Sequence, residues 1–186
     1  MTSSKRSAAD TIRCELAVSE RHMRDVTIVR GIAFIGEGGH DTDFIFDAND
    51  RCATHFVFYD RTQPVGALRI RFFAGFAKYE RTCFRPSHRN PFVVKHCVEM
   101  TFPHVARKGY TRVVTQSDAR LAQLWTRLFG FECVDRHPVL IQGHPPYVTV
   151  VGTIAADPHA VRYDGEGEAL LQAEDVWSRK MAETAS

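Results

Sequence analysis

Glu80 is the residue whose type and setting most invite acid–base chemistry. It lies in the run Phe76–Phe84, which reads as a strand, and a strand carboxylate beside a cleft is a proton acceptor. The simpler alternative is a salt bridge with Arg81, Arg69 or Lys78, because charged strand residues are usually paired or solvated. Downstream, Arg85, His88 and Arg89 form a basic loop that runs into Asn90-Pro91. Asn90 suits a helix N-cap and Pro91 the first helical position. A strand–loop–helix over 76–108 is where anion chemistry is expected, since a helix start presents free amides and a positive dipole end. Upstream lies an acidic loop, Asp41, Asp43, Asp47 and Asp50, suited to gripping an ammonium group, capping a strand or simple solvation. Cys83 carries a thiol, but no activating histidine stands beside it in the sequence, which argues against a nucleophile. His96, Cys97 and His104 do not share one helix face and Pro103 intervenes, so no metal site is expected.

These residues need elements to position them. Ile12–Ala17 reads as a short strand, and Ser19 as the cap of a helix running to Phe34, broken by Gly36-Glu37-Gly38-Gly39. The runs His55–Tyr59, Val65–Phe73 and Phe76–Phe84, joined by turn residues, predict an antiparallel meander. Asn90-Pro91 opens a helix that Pro103 shortens and Gly109 stops. Arg112–Gln116 is a short strand. Asp118 caps a helix in which Leu121, Leu124, Trp125, Leu128 and Phe129 form a core stripe at helical spacing, ended by Gly130. Phe131–Asp135 and Tyr147–Ile154 read as strands, and 167–182 as an amphipathic helix. A meander followed by strand–helix alternation predicts an α/β fold with a mixed sheet.

The 80–131 segment resembles the GNAT superfamily of N-acyltransferases. The residues that carry the likeness are Arg85 to Arg89 opening a helix, Gly109-Tyr110 following Arg89 by 20 positions, Val113–Gln116, and Trp125 to Phe131 ending in Gly130-Phe131. Gln63–Arg69 resembles the family's third strand, so the likeness spans residues 12–154. It implies a mixed, mostly antiparallel sheet flanked by helices. It also implies an amine acceptor deprotonated near Glu80, and a thioester carbonyl polarised by backbone amide at Cys83 or Phe84. The donor, acetyl-CoA or a longer acyl-CoA, would place its phosphates near Phe84, Arg85, Arg89, Lys95 and the amides of Phe92, Val93 and Val94. Phe92 and Val94 stand where the family has glycines, and Pro91 donates no amide. Thr126 replaces the tyrosine that often protonates the leaving thiolate, a poor general acid, while the neighbouring Trp125 has an N–H to donate.

A second likeness is to the acyl-homoserine-lactone synthases and N-acyl amino acid synthases, carried by Arg30, Phe34, Asp47-Ala48-Asn49-Asp50, Arg69 and Glu80. It implies acyl carrier protein phosphopantetheine as an alternative donor, and Asp47, Asp50, Arg69 and Trp125 as acceptor-binding residues.

The chain of 186 residues has 44% hydrophobic and 25% charged residues and a net charge of +2. That length supports one domain with a sizeable core. The charge balance is too even for a nucleic-acid binder, and no apolar run approaches the ~20 residues of a membrane span. The five scattered cysteines, an odd count without CxxC spacing, argue for a reduced, cytoplasmic protein with mostly buried thiols. The expected organisation is a disordered tail over 1–11, a GNAT-like domain over 12–154 and a helical extension over 155–186. Leu170, Leu171 and Trp177 of that extension would cover the sheet or a second subunit in a homodimer. The alternative function is a GNAT-fold module that binds a ligand or partner without catalysis.

Overall fold

The computed structural model describes residues 11–134, 138–141, 143–165 and 167–177. Its centre is a seven-stranded sheet: β1 (Ile12–Leu16), β2 (Thr54–Asp60), β3 (Gln63–Phe73), β4 (Phe76–Phe84), β5 (Arg112–Asp118), β6 (Glu132–Cys133) and β7 (Tyr147–Thr153), in spatial order β1-β2-β3-β4-β5-β7-β6. Every pair is antiparallel except β4 with β5. Two tight turns make the β2–β3–β4 meander, while the parallel pair needs the longer helical crossover between Phe84 and Arg112.

Helices cover both faces. α1 (Glu20–Arg30) begins at Ser19, whose side chain accepts from the His22 amide, and continues into a wider π turn over Gly31–Gly36. Its apolar positions Val26, Val29 and Ala33 pack on Val57, Tyr59, Ala67 and Cys83. A short helix α2 (Thr42–Ile45) and a 3-10 turn (Ala48–Arg51) shape the acidic loop. On the other face, α3 (Pro91–Glu99) and α4 (Phe102–Arg107) bury Val93, Cys97, Val98 and Val105 against Phe56, Leu68, Ile70 and Tyr79. The two helices part at Thr101, next to Pro103. α5 (Ala119–Phe129) starts on the Asp118 carboxylate and stops at Gly130, whose φ of +71° favours glycine.

The expected strands and caps thus recur, and the mixed, mostly antiparallel sheet flanked by helices is the observed architecture. The strand expected over 131–135 is paired at Glu132–Cys133, and Asp135 lies outside the described residues. Within 155–177 the extension is less helical than expected. α6 covers Glu168–Leu171, Gln172 is extended, with φ −82° and ψ 143°, and helix resumes over 174–177. Residues 1–10 and 178–186 lie outside the described residues. The thiols are also less uniformly buried than expected: Cys83 and Cys97 are buried, Cys52 and Cys133 are exposed.

Candidate active site

The site begins with a discontinuity in the sheet. β4 and β5 pair only at Ala77–Val113, Lys78–Val114 and Tyr79–Thr115, and beyond Tyr79 they part. A bulge in β4 explains the parting. The β3–β4 register shifts by one residue between Ala67–Cys83 and Arg69–Glu80, and Arg81 takes a left-handed φ of +53°. An extra residue of this kind bends its strand and increases the local twist.

The bulge also decides which amides face the gap. The Arg85 N–H donates to Val65 O at 2.8 Å, so in the alternation of an antiparallel ladder the Phe84 amide points away from β3, toward the gap. The same alternation turns the Cys83 amide toward β3. Its thiol is buried, and burial pushes it up to about 12. Of the two residues expected to polarise a carbonyl, Phe84 has the right direction and Cys83 does not.

A cleft of about 450 Å³ occupies the gap. Thr82, Cys83 and Phe84 of β4 form one side, and Ala33, Phe34 and His40 from the π turn and following loop form another. The third wall is α5, through Leu121, Leu124, Trp125, Leu128 and Phe129. This stripe was expected to be core. Only Trp125 of its five members is buried, and Leu121 is 40% exposed, because the splayed strands leave α5 facing a gap instead of a closed sheet. Trp125 is held by ring contacts with Phe129 and Phe131 at 5.1 and 5.9 Å. Thr126 is exposed and its hydroxyl bonds back to Ala122 O, so it does not line the cleft.

The basic loop and the start of α3 are largely self-satisfied. Arg85 Nε donates to Pro64 O at 2.7 Å. Lys95 Nζ donates to Leu128 O and pairs with Glu99, both at 2.7 Å, tying α3 to α5. Asn90 caps its own helix, accepting from the Val93 amide at 2.9 Å, and the Val94 amide is bonded to Asn90 O. Val93 itself is buried, Phe92 is 59% exposed, and Val94 lines the cleft. Arg89 also lines it; Nε donates to Phe84 O at 2.7 Å and the guanidinium pairs with Glu37. Lys95, Arg85 and Val93 are therefore not placed to grip a phosphate, whereas Arg89 and the Phe92 amide remain.

Glu80 is not the free base the sequence suggested. Its carboxylate, 10% exposed, accepts from Arg71 at 2.8 and 3.0 Å and pairs with Arg69 at 2.8 Å and Lys78 at 2.9 Å. Burial alone would raise it, but the Arg71, Lys78 and Arg69 charges prevail and hold it at about 2. Arg69, 2% exposed, reaches on to Asp47 at 2.7 Å and Asp50 at 2.8 Å. Asp50 also binds Arg30, and Asp47 binds Arg81. Asp47, Asp50 and Arg69, expected on the acceptor, thus form an internal ion cluster with Glu80, and none of them lines the cleft. Among the described residues no three His, Cys, Asp or Glu side chains gather as a metal site.

The sequence reading missed two histidines. His40 lines the cleft, and His144, from the segment before β7, stacks on it at 5.5 Å and on Phe44 at 4.1 Å. Nothing local signals this pair. The two residues are far apart in the chain, and only the sheet order brings them together.

No protein-family model matches the sequence. Uncharacterized N-acetyltransferase YjcF of Bacillus subtilis (strain 168) is 33% identical over 79 residues, which is 42% of this chain and 56% of that protein. The match therefore spans little more than half the length of that relative. Among solved structures, an acyl-CoA N-acyltransferase from Pseudomonas aeruginosa superposes with a TM-score of 0.63 at 17% identity, covering 75% of this chain and 97% of that one. A GNAT family acetyltransferase from Elizabethkingia anophelis, solved with acetyl-CoA bound, gives 0.62 at 9% identity over 78% and 99%. FeeM, an N-acyl amino acid synthase from uncultured soil microbes, gives 0.61 at 11% identity over 75% and 89%. The mixed, mostly antiparallel sheet flanked by helices and these superpositions together make the fold of this chain the GNAT fold.

Proposed function

We propose that the protein is a GNAT-type N-acyltransferase that moves an acyl group from a thioester donor, an acyl-CoA or an acylated carrier protein, to an amine. The observation that carries this reading is the cleft between the splayed strands, with the Phe84 amide turned into it and an apolar α5 wall along it. An amide so directed donates to a carbonyl oxygen as negative charge grows there. Leu124, Leu128 and Val94 suit a pantetheine arm, whose length is mostly uncharged. The pyrophosphate of a CoA would have a smaller share: Pro91 has no N–H, the Val93 amide is taken by Asn90, and the Phe92 amide and Arg89 remain. The donor is thus held more by its arm than by its phosphates, and positioning supplies most of the rate. The acetyl-CoA bound to the Elizabethkingia protein supports a CoA donor, and FeeM supports acylation of an amino acid.

The test is thiol release from acetyl-, octanoyl- and palmitoyl-CoA and from an acylated carrier protein, each with a panel of amines, alongside thermal shift with each donor. Amine-dependent release with one donor class is expected. The second reading, a binding module without catalysis, is favoured by the engagement of Glu80 in ion pairs and by Asn90 occupying its own helix start. A thermal shift with no release from any donor is its signature.

A further inference from the structure

We infer that His40, its ring packed on Phe34, Phe44 and His144, is the proton acceptor of this site. The inference rests on the acyltransferase reading above. Four observations converge on it. Glu80 is absent from the cleft, with its carboxylate engaged by Arg69, Arg71 and Lys78. His40 shares the cleft with Thr82, Cys83 and Phe84, the strand segment whose Phe84 amide faces the gap. Its ring is held by aromatic contacts alone among the described residues: Phe34 at 6.0 Å edge-on, Phe44 at 6.3 Å and His144 at 5.5 Å face to face. Packing against Gly38 backs it, since a Cβ there would fall 2.8 Å from the imidazole. An imidazole fixed by its faces keeps its nitrogens free for a substrate proton.

The charged and titratable groups around it keep the ring neutral. Burial lowers its tendency to protonate, and His144 from the loop before β7 and Arg81 from β4 add to this. Glu37 of the adjoining loop also borders the cleft, with its charge paired to Arg89. A neutral imidazole at neutral pH is the form a general base requires. In the reaction, the amine lone pair forms the C–N bond and the C–S bond breaks with its electrons on sulfur. The proton lost from nitrogen goes to His40, which returns it to solvent, and water protonates the thiolate. The products are an amide and a free thiol.

His40→Gln and His144→Gln, with unchanged circular dichroism as the folding check, test this using kcat against pH at saturating acceptor. The wild type is expected to show an acidic limb with a midpoint below 6.5, the ordinary histidine value. His40→Gln should lose on the order of 10²-fold or more in kcat, with KM for the thioester kept and the limb abolished. His144→Gln should move the limb upward, because a neighbour that disfavours the imidazolium is gone. A limb set by the amine substrate would stay in place when residue 144 changes. If His40→Gln does not fold, the His144→Gln shift decides. A wild type that turns over while His40→Gln matches it, or a limb unmoved by His144→Gln, overturns the base role alone. No thiol release by the wild type with any donor overturns the acyltransferase reading together with it.

Discussion

Arg69 and Glu80 show how far side-chain identity speaks and where it stops. The sequence marks both as charged residues on the meander, and the salt bridge was the plainer of the two readings of Glu80. Of the three partners the sequence offered, Arg69 and Lys78 do pair with it and Arg81 pairs with Asp47 instead, while Arg71 was not foreseen because it reaches Glu80 only once β3 and β4 are in register across the bulge. Buried pairs of this type cost several kcal/mol of desolvation and hold only while complete. Arg69→Ala removes the partner that Asp47, Asp50 and Glu80 share, so unfolding in urea should show a loss of about 3–5 kcal/mol. The same cluster sets an acid limit. Glu80 falls from an ordinary 4.5, and Asp47 from 3.8, each to about 2. A carboxyl depressed by folding stabilises the native state above its unfolded value and loses that contribution as pH falls through its folded one. The contribution of this cluster to stability should therefore be flat from neutral pH to about 5 and be lost between about 4.5 and 2, as followed by thermal melts across that range.

At the scale of the element, caps and stops were legible because they are local. Ser19, Asn90, Asp118 and Gly130 each act where the sequence put them. Asn90→Ala removes the acceptor of the Val93 amide and should cost about 1 kcal/mol, read from the urea midpoint. The α5 stripe was legible as apolar but not as a wall, since an apolar face reads the same whether it meets a closed sheet or a gap. The gap itself follows from the bulge at Arg81, and a left-handed arginine inside an alternating strand leaves no mark in composition. A close approach between β7 and the segment after α5 was equally silent. A Cβ at Gly152 would lie 1.9 Å from the Phe131 ring. Gly152→Ala should destabilise by about 1–3 kcal/mol through overpacking, and it should also disturb Trp125, which stacks on Phe131. A changed tryptophan fluorescence in the folded variant would report that.

Across the whole molecule, the extension after β7 returns to α4. Val161 N–H donates to Arg107 O at 2.8 Å, Glu174 pairs with Lys108 and lies 3.3 Å from His104, and the buried Trp177 ring sits 6.1 Å from the His104 ring and 5.9 Å from the Lys108 ammonium. Of the three apolar residues expected to cover the sheet or a second subunit, Trp177 is buried against α4, whereas Leu170 and Leu171 are exposed. Its attachment is a few contacts deep, so it should release before the sheet does. Trp177→Ala is expected to speed tryptic cleavage after Arg162 several-fold while the sheet keeps its circular dichroism. The Glu174 carboxyl is held at about 2, chiefly by His104 at 3.3 Å and then by Lys108, so acid below about 4.5 should loosen the same segment. No described helix is long and apolar enough to cross a membrane.

Three residue pairs join β4 to β5, so the sheet is stitched along one short seam. The meander on one side and the β5–β7–β6 ladder on the other are each paired along most of their length. Such a seam is a natural line between cooperative units. Amide deuteration should reach Gln116 and its neighbours on the gap side sooner than Val113, and a molecule seated in the gap would slow that exchange by bridging the two units. Occupancy of the cleft would then be measurable as mechanical closure of the sheet, independent of any chemistry done there.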